Sequence, residues 1–121
     1  MKLDYEAIRH ILMRIEENEK DKTTISDLKS SDFDDRVINY HLKLLLDVGY
    51  IETKEIKCIG AKSSEFIVKR MTMQGHQYLD SIRDDNVWKK TKEVISKTTS
   101  SVTLDIIKSV AVKVIGNLLG I

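Results

Sequence analysis

The chain has no proline among its 121 residues, so no X-Pro isomerisation should slow its folding. Breaks between elements must be made by Gly, Ser, Thr, Asn and Asp alone. It has one cysteine, Cys58, which excludes an internal disulfide. Aromatic residues make up only 6% and there are five glycines, none of them in a phosphate-binding loop or a nucleophile elbow, and no His-Glu-x-x-His occurs. Neither sign of charge dominates: 20 Lys and Arg stand against 19 Asp and Glu. The charged, periodic start Met-Lys-Leu-Asp-Tyr-Glu has no apolar run followed by a small-residue cleavage site. With the lone cysteine, this leads to the expectation of a reducing, cytoplasmic setting. What remains is 41% hydrophobic and 32% charged, which suits a small globular protein with one core.

The most informative stretch is 36–52. Ile38, Leu42 and Leu45 fall at i, i+4 and i+7 with His41 beside them, so one helix face must be buried. Gly49 stands where a left-handed residue ends such helices, and a strand pattern follows at once. Ser31 or Asp32 is expected to cap this 34–48 helix, with Asp34 and Asp35 favouring the positive end of its dipole. Its opposite face carries Arg36, Asn39, Tyr40, Lys43 and Asp47. Upstream, Tyr5, Ile8, Ile11, Leu12 and Ile15 keep a helical period across 4–18, and Thr24 with Asp27 resembles a capping arrangement for a short second helix. Downstream, 50–59 and 65–71 read as strands joined by a tip at 60–64 that holds Lys62. Thr72 is placed to cap a fourth helix, Asp84 or Asp85 a fifth containing Trp88, and Ser100 or Ser101 a last one ending near Leu119. The fold class expected is α+β, mostly α: a winged helix-turn-helix over 1–82, with three helices and a β-hairpin wing, followed by a helical extension over 83–121.

Four groups of residues carry a resemblance: Tyr40-His41-Leu42-Lys43, the exit Val48-Gly49-Tyr50-Ile51-Glu52, Met71-Thr72-Met73-Gln74-Gly75-His76, and Ser81-Ile82-Arg83-Asp84-Asp85 with Trp88. Together they resemble a bacterial and phage-associated family of small proteins of unknown function. The resemblance covers nearly the whole chain and implies a winged-helix N-terminal part with a helical tail. It brings no function with it.

For function, the winged-helix pattern suggests a regulator that sets the 34–48 helix in the major groove of duplex DNA. Arg36 and Asn39 are then the candidates for base edges, Lys43 and Tyr40 position the helix, and Lys54, Lys57 and Lys62 on the wing meet phosphate. Charge weighs against an easy conclusion, because residues 1–82 carry 13 basic and 15 acidic side chains and the carboxylates of Asp32, Asp34 and Asp35 crowd the helix start. The alternative is a protein-interaction module that uses the same scaffold without DNA.

The last helix is apolar around more than one stripe, and Val110, Val114, Ile115, Leu118 and Leu119 are the residues expected to join two copies in a homodimer. Helices one, five and six closing into one cluster is the plainer alternative. Asp105, Lys108 and Lys113 interrupt that segment, so integral membrane association is not expected. His10, His41, Cys58 and His76 are 31, 17 and 18 residues apart, which matches no compact metal-ligand motif. No metal, cofactor or enzymatic activity is expected. His41 and His76 are read as packing at helix edges, and Trp88 as a packing anchor rather than a base-stacking residue.

Overall fold

The computed structural model describes residues 1–57, 64–98 and 101–121, apart from the side chains at 55–57, 64 and 65. Among the described residues the protein is mostly helical, with six helices and one two-stranded antiparallel hairpin. The helices are α1 (Tyr5–Glu17), α2 (Ile25–Leu28), α3 (Asp35–Asp47), α4 (Met73–Ile82), α5 (Asp85–Ser96) and α6 (Leu104–Leu119), and the strands are β1 (Ile51–Lys57) and β2 (Ser64–Met71). The chain divides into two compact units, Met1–His76 and Gln77–Ile121.

In the first unit the helical period of α1 is spent on a buried face of Ala7, Ile8, Ile11, Leu12 and Ile15. This face packs on α2, α3 and β2, while α3 also packs on both strands. From α3, Ile38, His41, Leu42 and Leu45 are buried, as their spacing requires. Leu28, Tyr50, Ile51, Val68 and Met71 are buried with them. Thr23, just before α2, forms a further antiparallel bridge to the hairpin: its N–H donates to Val68 O at 3.0 Å, and Val68 N–H donates to Thr23 O at 2.9 Å. A single paired residue leaves no alternation pattern by which it could be read from the sequence.

The start of α3 differs from expectation. Asp34, not Ser31 or Asp32, is the N-cap, its carboxylate accepting from Arg36 N–H and Val37 N–H at 3.1 Å. The exit is as expected, with Gly49 at φ +74°. Tyr50 N–H donates to Leu45 O at 3.0 Å and Gly49 N–H to Leu46 O at 3.1 Å, the paired bonds of a Schellman motif. In α2 the Asp27 carboxylate accepts from both the N–H and the hydroxyl of Thr24, at 2.9 and 3.0 Å.

The hairpin pairs Ile51 with Met71 and Lys57 with Ser64, so Ser64 belongs to the strand rather than to the tip. Between Glu52 and Thr53 the register shifts because their partners, Arg70 and Val68, leave Lys69 unopposed. Residues 58–63, with Cys58, Lys62 and most of the expected tip, lie outside the described residues. After β2, Thr72 Oγ1 donates to Gly49 O at 2.5 Å and accepts from Gly75 N–H at 3.3 Å, which starts α4 against the end of α3. Gly75 permits that approach: a Cβ there would collide with Tyr50 O and come within 2.7 Å of Met71 Cγ.

In the second unit α5 packs along α6. Val87, Trp88 and Thr91 of α5 and Ile107, Ala111 and Val114 of α6 are buried, as are Tyr78, Leu79 and Ile82 of α4. The buried hydroxyls are satisfied locally, Thr91 Oγ1 donating to Val87 O at 2.7 Å and Ser81 Oγ to Tyr78 O at 2.6 Å. Asp84 caps α5. The last helix begins later than expected, with Thr103 rather than Ser100 or Ser101 as its cap. Among the described residues no helix is long and apolar enough to cross a membrane.

Candidate functional site

The outward side of α3 and the hairpin beside it hold most of the residues singled out above. Burial of Ile38, His41, Leu42 and Leu45 fixes the rotation of the helix, leaving Arg36 and Lys43 exposed and Asn39 and Tyr40 half-buried. His41 is completely buried yet fully bonded: Asp4 N–H donates to its Nε2 at 2.9 Å, and Nδ1 lies 2.8 Å from Val37 O. Accepting at Nε2 requires Nδ1 to carry the proton and donate to that carbonyl. The ring thereby ties the N-cap of α1 to α3, and it meets the Tyr40 ring in a T-shaped contact at a centroid distance of 5.5 Å and 84°.

Asn39 stands apart, since its Oδ1 is buried with no hydrogen-bond partner. Lys43 bridges from helix to hairpin, its ammonium 5.9 Å from the centroid of the Phe66 ring. That distance is a cation–π contact, and it required the tertiary register of α3 on β2 to be seen. Phe66 was not among the candidates from sequence. On the hairpin, Lys54 is exposed opposite Ile67, while Lys57 is placed only by its backbone pairing with Ser64, and Lys62 lies outside the described residues.

Arg70 is already engaged. Its Nε and Nη2 donate to the two carboxylate oxygens of Glu52 at 3.0 and 2.6 Å, a bidentate pair across the hairpin. The hydrogen bonds from Arg70 hold the Glu52 carboxyl below its ordinary range. The acidic start of α3 is partly neutralised in the same way, because Asp34 is turned onto the helix N–H groups and Asp35 lies 3.9 Å from Lys29 Nζ. Asp32 remains exposed.

The five residues expected to join two copies fall into different environments. Val114 is buried against α5, Val110 and Ile115 are half-buried, and Leu118 and Leu119 are exposed. Trp88 is buried, with Lys92 Nζ 5.6 Å from its ring centroid. The histidines do not meet: His10 Nε2 lies 2.6 Å from Leu28 O, His41 is bonded as above, and His76 is exposed rather than packed. Among the described residues no three of His, Cys, Asp and Glu converge as metal ligands would.

Comparison with known proteins gives a family without an activity. Residues 2–101 match a family described as hypothetical protein (DUF2513). An uncharacterized protein of Haemophilus influenzae is 34% identical over 119 residues, spanning 98% of this chain and 99% of its own length. No solved structure matches.

Proposed function

The chain belongs to the DUF2513 family, and from the arrangement around α3 we propose that it is a winged-helix protein that binds duplex DNA with α3 in the major groove. The observation that carries this reading is the way α3 is mounted. It lies against α1, α2 and both strands of a hairpin that is extended by the Thr23 bridge, and it turns Arg36 and Lys43 to solvent. That order of a helix, a bridging residue, two helices and a hairpin resembles the order of a winged helix, in which the third helix reads a groove, and this likeness supports the reading. In this account Arg36 meets a base edge or a phosphate. Asn39 turns its amide outward to an adenine, which gives its unpartnered Oδ1 a donor. Tyr40 and Lys43 set the helix in place, and Lys54, Lys57 and Lys62 meet the flanking backbone.

The balance of charge sets the expected strength. The first 82 residues are net −2, so non-specific affinity should be weak and binding should depend on the local cluster of Arg36, Lys43 and Lys54. Titration of the full chain into labelled random duplex at several salt concentrations tests this. We expect affinity to fall as salt rises, and the Arg36→Glu, Lys43→Glu double variant to lose binding while it keeps its melting temperature. No binding by the wild type at low salt overturns the reading and favours a protein-interaction module on the same scaffold.

A further inference from the structure

The second unit carries a surface that its own fold does not use. Between the start of α5 and the end of α6 lies an open groove of about 670 Å³ whose apolar lining is Val87 and Ile115, with the more exposed Leu118 and Leu119 beside them. Leu118 and Leu119 are 56% and 69% exposed, a large unfavourable area for a pair of adjacent leucines on a unit of this size. The rim is charged with both signs: Lys89 and Lys90 stand on it together with Glu93. None of these three has an ion-pair partner among the described residues. The neighbouring carboxylates are occupied, Asp80 by Arg83 at 2.7 Å and Asp84 by the α5 N–H groups it caps.

We infer that this groove is the contact face of a two-fold homodimer, in which Leu118 and Leu119 of each copy fill the groove of the other. A two-fold contact brings the same patch together with itself, so it must be self-complementary. This patch is so in shape, since it holds both a recess and two protruding leucines. It is so in charge, since Lys89 and Lys90 of one copy can face Glu93 of the second while Glu93 of the first faces the second copy's lysines. A surface of one sign only would repel its own copy. Val114 has no part in the contact, being already buried against α5. The inference does not depend on nucleic acid, and its failure would leave the reading of α3 untouched.

Sedimentation of the full chain over a concentration series tests it. The wild type is expected to be dimeric, and Leu118→Lys, Leu119→Lys to raise the dimer Kd by at least about tenfold. Ile106→Lys, an exposed apolar site toward the other end of α6, should leave the dimer intact. Two charge variants give a readout that does not touch the apolar residues. Lys89→Glu, Lys90→Glu and Glu93→Lys should each weaken self-association, whereas their equimolar mixture should dimerise, because both rim contacts regain opposite charges. A wild type that is monomeric throughout the series overturns the inference. So does a dimer that is indifferent to the two leucines, or a mixture of charge variants that associates no better than either alone.

Discussion

His41 is the residue on which the first unit's geometry turns, because its fully buried ring accepts from Asp4 N–H ahead of α1 and donates to Val37 O within its own helix, so that one ring links the two. His41→Ala removes both bonds and leaves a cavity, and we expect a loss of about 2–4 kcal/mol in denaturant unfolding. His41→Gln, which keeps a donor and an acceptor, should recover part of it. Gly75 is as constrained for a different reason. An added methyl has nowhere to go against Tyr50 O, so Gly75→Ala should cost about 1–3 kcal/mol despite its better helix propensity. Asp27 supplies a pH effect. The Thr24 N–H, then Lys20 and the Thr24 hydroxyl, hold its carboxyl at about 2, below an ordinary value of 3.8. A carboxyl lowered by folding contributes stability that is fully present above its unfolded value, so the contribution is complete above that range and is lost as the pH falls toward 2. Asp27→Asn should flatten the acid side of the stability profile, read from urea midpoints between about pH 5 and 2. A profile as steep as the wild type's would mean that the α2 cap contributes nothing.

Among the elements, the hairpin gives the sharpest functional prediction. Glu52 holds Arg70 in an exposed pair that solvent screens, so Glu52→Gln should leave the melting temperature close to that of the wild type. It frees a guanidinium on the proposed wing, and the salt slope of duplex binding should steepen by up to about one phosphate. An unchanged slope would place Arg70 away from the nucleic acid. The body of α3 was legible in the sequence because three apolar positions and a following glycine fix its buried face and its end without help from the rest of the chain. Its cap was not, because Ser31, Asp32 and Asp34 all have suitable side chains. One relation is shared by the N-caps of five helices: Asp4, Thr24, Asp34, Asp84 and Thr103 each stand four residues ahead of a buried side chain, namely Ile8, Leu28, Ile38, Trp88 and Ile107. Counting back from the core would have chosen Asp34 over Asp32 and Thr103 over Ser101. Thr23, Phe66 and the Glu52–Arg70 pair stayed hidden because each acquires its role only from the strand register, which a bulge at Lys69 shifts by one residue. The sequence of α6 does not show which of its apolar stripes α5 covers: Val114 is buried, while Leu118 and Leu119 stay exposed.

For the molecule as a whole, a net charge of +1 gives little long-range attraction to phosphate. In the proposed reading, binding to DNA rests on a few side chains of α3 and β1 that the first unit holds in place. A dimer would present them twice and double each local positive cluster, which suits a target with two half-sites about one helical turn apart. The most direct test of α3 as the DNA-contacting helix is to follow the backbone amide signals of the full chain while a short duplex is added. Shifts are expected to concentrate from Arg36 to Lys43 and at Lys54, and to be reduced by added salt. Shifts confined to other surfaces, or none at low salt, would contradict a role for α3 in the groove.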